Sequence, residues 1–445
     1  MARFWLFIAL LSPLFAQEQP FTEGFRLLYQ EHDYEKATSV FQKIVRQTPG
    51  NAEAWRCLGR STAALGRREE AITAFKRAID LTPDQAETYV LLGLEYGALG
   101  QLEQQIDVLK RAIRLNPLYV DAYDYLAHTY NRLGRHDEAL KLAKQAIDIK
   151  ADDAEAYLVS GASYAATGQY DEGLKAVNQA IKLRPDDANA YSILGSIYQA
   201  LERFQESVDA LKHSARLEPT DARAQYQLGV AYEALGLHAG GAAAFNEATV
   251  ALKRAIQLQN DFAEAYAALG VQYDRLGHSQ DAVDACGRAV HLKPDYPYAH
   301  LCLGLTSLKA DQIAPAVQAH QTLKSLDPGM ANLLSDAIIR FQALNAGKLT
   351  GEKVLWSDRE SGNYTVTFRN QLQESVRNVT CQVVFYNASG TVLETDHVRY
   401  EGVIPAGLTM RVSSKVDASV HALARTGTPS GIRIEVRVTD FDIAR

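Results

Sequence analysis

Little in this 445-residue sequence speaks for chemistry. Four cysteines are too few to staple a chain of this length, which excludes a disulfide scaffold. Cys57, Cys286, Cys302 and Cys381 form no C-x-x-C pair and have no histidine at zinc-ligand spacing. There is no H-E-x-x-H, no phosphate-binding G-x-x-x-x-G-K, no strand-linked G-x-G-x-x-G and no G-x-S-x-G. The histidines are scattered rather than clustered. An enzyme is therefore not expected, and no cofactor or metal is expected. Charge is only mildly one-sided, at −7, so the basic footprint that nucleic acid requires is missing.

Long apolar runs are missing as well. The longest, Phe4 to Phe15, follows a single arginine and falls short of the ~20 residues that span a bilayer. Residues 1–16 read as an export signal, with Ala16 before a polar stretch, or, since Leu14 is large for the third position before a cleavage site, as an uncleaved anchor. The expectation is an exported protein, in the bacterial periplasm or secreted.

What the chain does have is a period. "AEAWRCLGRSTAALGRREEAITAFKRAIDLTPD" from Ala52 aligns with "AETYVLLGLEYGALGQLEQQIDVLKRAIRLNPL" from Ala86. Units from Val120, Ala154 and Ala188 follow at the same spacing of 34 residues. Each unit predicts two amphipathic helices. Trp55, Leu58, Gly59 and Thr62 share one helical face, Gly66 marks the turn, and Ala71, Phe75 and Ala78 form a second face before Pro83.

Trp or Tyr, Leu, Gly, Tyr, Ala, Phe, Ala and Pro at these intervals resemble the tetratricopeptide repeat (TPR) family. The resemblance covers residues 18–329, about nine units, and implies an all-α superhelical solenoid. "ANLLSDAIIRFQALNAG" then reads as a capping helix over 330–347. One unit is seven residues too long. Its tail "NEATVALKRAI" aligns with "REEAITAFKRAI", which places the excess near 237–243. Gly240 and Gly241 suggest a longer turn there, with one extra helical turn beginning the second helix.

The resemblance also implies a function. In such arrays the first helix of each unit lines a concave groove that holds an extended peptide or a partner helix. The groove positions here are Arg26, Arg56 and Arg60, then Val90 and Leu94. Asp124, His128 and Asn131 follow, then Leu158, Ser192, Ser196, Tyr226 and Gln227. Three arginines on adjacent helices could grip a carboxylate, or they could form a solvated basic face. The clamp for a C-terminal carboxylate found in some relatives is not reproduced, since Thr22, Arg26, Cys57 and Glu87 occupy its places. Cys286 and Cys302 form a disulfide if their Cα atoms lie within about 7 Å, and are otherwise two small buried thiols.

After Gly351 the period drops to two. "NYTVTFRN", "NVTCQVVFYN", "TVLETDHVRY", "MRVSSKV" and "GIRIEVRVTDFDI" predict strands, with Val379, Cys381, Val383 and Phe385 on one face. A small all-β sandwich over 351–445 is expected. The Asn-containing strand, the hairpin and the "IPAG" turn resemble the FxLYD-type immunoglobulin-like modules of exported bacterial proteins. That resemblance implies an interaction module that docks a second partner or an envelope component. The combined expectation is an exported protein–protein interaction scaffold serving assembly of envelope or secretion machinery. The alternative is a glycan- or cell-wall-binding module, for which Trp356 and Tyr400 are the candidate aromatics.

Overall fold

The computed structural model describes residues 20–239, 241–345, 349–358, 363–372, 376–386, 392–406, 409–415 and 433–443. The export signal read at 1–16 lies outside them, and no described helix is long and apolar enough to cross a membrane. The chain forms two compact units, Met1–Pro219 and Thr220–Arg445.

The first unit contains six helical pairs. They are α1 (20–29) with α2 (Tyr34–Gln47), α3 (Ala52–Ala64) with α4 (Arg68–Leu81), and α5 (Ala86–Ala98) with α6 (Leu102–Leu115). Then come α7 (Val120–Arg132) with α8 (His136–Ile149), α9 (Ala154–Ala166) with α10 (Tyr170–Leu183), and α11 (Ala188–Ala200) with α12 (Phe204–Leu217). The turn inside a pair reverses through one residue in the left-handed region. Gly66, Gly100, Gly134 and Gly168 hold it at φ 71–75°, which suits a residue without Cβ.

The repeated small residue permits the helix pair to close. A Cβ on Gly59 would lie 2.5 Å from the Phe75 ring, and one on Gly161 would lie 2.4 Å from Val177. Phe75, Leu109 and Leu211 are buried where they cross that gap. Each apolar face is then completed by the next unit. α4 packs on α5 and α6 on α7, so the core clusters run across unit boundaries. Successive first helices also touch, α5 with α7, α7 with α9 and α9 with α11. They therefore share one face of the unit.

The second unit begins with α13 (Ala222–Ala239) and α14 (Ala242–Leu258). Here the long turn expected from the sequence is corrected. α13 has 18 residues where α11 has 13, and α14 has 17 where α12 has 14. The excess extends both arms of the helical hairpin. Seven residues are nearly two turns, so the buried faces stay in phase. Gly236 lies against Phe245 across the extension, where a Cβ would come within 2.6 Å of the ring.

α15 (Ala263–Arg275) pairs with α16 (Ser279–Leu292), and α17 (Pro297–Lys309) with α18 (Ile313–Leu326). The expected cap is α19 (Pro328–Asn345). Ala331, Leu334 and Ile338 cover the last pair, with Leu334 seated against Gly304. The far end of α19 does a second job. Ala343 is buried in the core of the β module with Ile339 beside it, and Arg340 reaches Asp442 at 3.1 Å.

That module comprises β1 (Leu349–Asp358), β2 (Asn363–Asn370), β3 (Val376–Tyr386), β4 (Val392–Ile404), β5 (Thr409–Lys415) and β6 (Arg433–Ile443). They form two antiparallel three-stranded sheets, ordered β1-β2-β5 and β4-β3-β6. Val366 and Phe368 of β2 meet Val379, Cys381, Val383 and Phe385 of β3 in one apolar core. β1 is absent from the strands expected above, because two bulges, at Gly351/Lys353 and Trp356/Asp358, break its alternation. Asn370 is fully buried and ties two loops together. Its amide donates to the carbonyls of Ile404 and Pro405, and its Oδ1 accepts from the Leu372 N–H.

Two glycines test the close-packing account. Gly59→Val drives methyls into the Phe75 ring and lowers stability by about 1–3 kcal/mol. Gly287→Ala, on α16 with nothing within 4 Å of the new methyl, raises it by up to about 1 kcal/mol. Thermal melts should shift in opposite directions, and a shared direction contradicts the account.

Candidate functional site

In the first unit the shared first-helix face carries most of the groove residues expected from the sequence, but not in the roles expected. Arg26 pairs with Glu31, in the turn after α1. Arg56 pairs with Glu53 at 2.6 Å and also with Glu87, and Arg60 joins the same Glu87. The three arginines thus do not form an open basic patch. Two of them are neutralised by a carboxylate of the next first helix. Arg60 also lies over the Tyr29 ring at 5.8 Å.

Val90 and Leu158 are corrected too. Both are buried in cores between helices, whereas Leu94 is half-buried. Asn131 is a brace. It donates to the Val159 carbonyl at 3.2 Å and accepts from the Ser163 hydroxyl at 2.7 Å. His128 faces Glu155, which Arg184 approaches from the other side. That hydrogen bond from His128 is the main cause holding the Glu155 carboxyl below its usual range, against its own burial. Ser192 lies 2.9 Å from Ser214, and the exposed Ser196 donates to the Ser192 carbonyl.

Asp124 is 5% exposed, as is Asp153 on the next unit, a residue that sequence reasoning missed. Burial, then the hydrogen-bonded Asp153 beside it, push the Asp124 carboxyl up to about 8. Glu155 and Asp121 act in the same direction. Asp153 reads in sequence as an ordinary helix cap, so its pairing across 29 positions left no local signal.

In the second unit Tyr226 and Gln227 do open on space. With Arg223, Phe262 and Glu264 they line a pocket of about 720 Å³. The Tyr226 and Phe262 rings lie 5.1 Å apart, and burial raises the Tyr226 hydroxyl. Arg223, Phe262 and Glu264 were not anticipated, although Arg223 and Glu264 share one repeat position with Glu87 and Glu155. Cys286 and Cys302 are bonded, with Cα atoms 5.8 Å apart, inside the range a disulfide spans. Gly270 faces both sulfurs, and a Cβ there would come within 2.3 Å of one. Cys57 and Cys381 are buried thiols, each pushed up to about 12 mainly by desolvation, which leaves them unreactive. Of the two candidate sugar platforms, Tyr400 packs against the β core, and the Trp356 side chain is outside the described residues.

The comparisons agree with this geometry. The family model of the cilia and flagella-associated protein 70 C-terminal domain matches residues 26–230. The structure of the APC/C hetero-tetramer Cut9–Hcn1 is similar at 18% identity and TM-score 0.50, over 61% of this chain and 52% of that one. The chain thus spans about half the length of that protein. A tetratricopeptide repeat protein from Parabacteroides merdae is similar at 16% identity and TM-score 0.50, over 57% of this chain and 98% of that one. MamA shares 30% identity over 36% of this chain and 94% of its own, with a TM-score of 0.35. No curated protein matches the chain. The chain has a TPR-like helical fold.

Stability against pH checks the carboxyl pair. The folded state holds the Asp124 proton, with an ordinary value of 3.8 raised to about 8. That contribution is complete below about pH 4 and is lost as pH rises through about 8, at up to ~1.4 kcal/mol per unit. Asp124→Asn removes the ionisation. Its melting temperature should match the parent near pH 4 and exceed it increasingly toward pH 9. Parallel curves contradict the assignment.

Proposed function

We propose that the chain is an exported interaction scaffold whose first-helix face binds a segment of a partner protein, an extended peptide or a helix. The observation that carries this reading is the face itself. First helices of successive repeats touch within each unit, and in the second unit Tyr226, Gln227 and Arg223 open onto a pocket of about 720 Å³. Pockets of a few hundred Å³ lined by aromatic and polar groups are the common form of a recognition site.

The Cys286–Cys302 bond joins neighbouring repeat units and supports an oxidising compartment, in keeping with the apolar run after Arg3. The C-terminal module is read as an immunoglobulin-like sandwich of the FxLYD kind. Asn370, which fastens its strand to the turn at Pro405, supports that reading, because both features carried the resemblance. In this reading the module docks a second partner or an envelope component, and the scaffold serves assembly of envelope or secretion machinery.

Site-specific photo-cross-linking in the native host tests this. A photoreactive residue at Gln227 should give discrete protein adducts. The same residue at Val250, 64% exposed on the second helix of that pair, should not. Equal adduct patterns at the two positions, or none at Gln227, contradict the assignment of the binding face.

A further inference from the structure

One helical pair of the first unit departs from the pattern that fills the others. The residue just before the small one on the first helix is leucine in all the other repeats from α3 onward, among them Leu58, Leu126 and Leu194. On α9 it is Ser160. This serine is 7% exposed, and its hydroxyl donates back to the Ala156 carbonyl of its own helix at 2.8 Å. No apolar side chain takes the place of the leucine, and a depression of about 520 Å³ opens between α8, α9 and α10. At about 3.6 residues per turn, Tyr157, Ser160 and Tyr164 stand on the side of α9 opposite Glu155, away from the first-helix face.

The walls are apolar and the rim is basic. Leu140, Ile147, Tyr157, Tyr164 and Ala176 line the space, and the exposed Lys141, Lys144 and Lys175 surround it. Lysine stems add methylene surface to such walls while the ammonium groups stay in water. Glu172 also stands on the rim, but Lys175 lies 3.9 Å from it. Glu138, one turn before Lys141, is taken by Arg135, and Lys141 and Lys144 make no ion pair among the described residues. The corresponding place three repeats earlier is a control within the same molecule. There Leu58 is present, the depression is about 350 Å³, and Gln42 and Thr73 stand where Lys144 and Lys175 do. The larger space and the cations thus occur together.

An apolar space ringed by ammonium groups complements a molecule with an apolar body and an anionic end. A cavity of about 150 Å³ already holds a group the size of benzene, so one partner side chain would leave most of this space empty. A flexible alkyl chain fills it.

We propose that the depression at Ser160 binds an anionic amphiphile, a single alkyl chain ending in a carboxylate. The chain lies over Ser160 between Tyr157 and Tyr164, and the carboxylate meets Lys141, Lys144 and Lys175. This site is independent of the first-helix groove.

Calorimetric titration of the full chain with dodecanoate, below its micellar range, tests the proposal. Dodecanoate should bind at one site, dodecylammonium about tenfold more weakly or less, and acetate not at all. Ser160→Leu restores the residue of the other repeats, so it should raise the melting temperature and abolish dodecanoate binding. K141Q/K144Q alters only exposed side chains, and should weaken dodecanoate about tenfold or more without shifting the melt. That arm stands whether or not the leucine variant folds. Absence of binding by the parent, equal binding of dodecanoate and dodecylammonium, or full dodecanoate affinity in either variant overturns the proposal.

Discussion

No unit of this chain can bury its own apolar face, and everything else follows from that. Two short helices close on each other only because a glycine sits where Phe75, Val177 or Leu211 crosses. The closed pair still leaves an apolar side that only the next pair can cover. The second helix of one unit therefore packs on the first helix of the next, and the first helices come into contact. The face that the groove reading relies on is thus a by-product of how the core is completed. At the end of the array the same requirement calls for α19. Its Leu334 fills the space beside Gly304, while Ala343 is buried with the strands. One helix meets the needs of two cores, so the β module is braced against the array rather than tethered to it.

The electrostatics of the first-helix face obey the same geometry. Arg56 and Arg60 reach a carboxylate one unit ahead, and His128 does likewise with Glu155. Exposed pairs of this kind contribute up to about 1 kcal/mol each, so their main effect is to cancel charge locally. What stands out against that neutral background is a buried pair of like groups. Asp124 and Asp153 differ from the ion pairs in being two carboxyls hydrogen-bonded to each other, with no cation within hydrogen-bond reach.

Much of the fold was legible because its determinants are local and repeated. The helical pairs, the cap and the buried stripe of β3 depend on spacing alone. The lengthened unit was placed correctly but misjudged in form. Gly240 and Gly241 suggested a loop, yet both helices run on toward it, and Gly236 is needed for a close helical approach to Phe245. β1 escaped because its bulges destroy the alternation by which strands are recognised. The site was less legible. Position within the repeat says which side chains face inward, not how deeply a neighbour covers them. Val90 and Leu158 were therefore mistaken for groove surface. The partner of Arg60 lies 27 residues away and that of Cys286 lies 16 away, separations that mean nothing until the helices are packed.

Hydrogen exchange on Leu334→Ala tests the claim of neighbour-by-neighbour completion most directly. Removing this fully buried side chain from the cap opens a cavity that destabilises its surroundings by about 2–5 kcal/mol. The account predicts faster exchange in α17, α18 and α19, a smaller rise in β6, and no change in α13 and α14. A uniform rise through the second unit, or protection in α17 that survives the substitution, would contradict it.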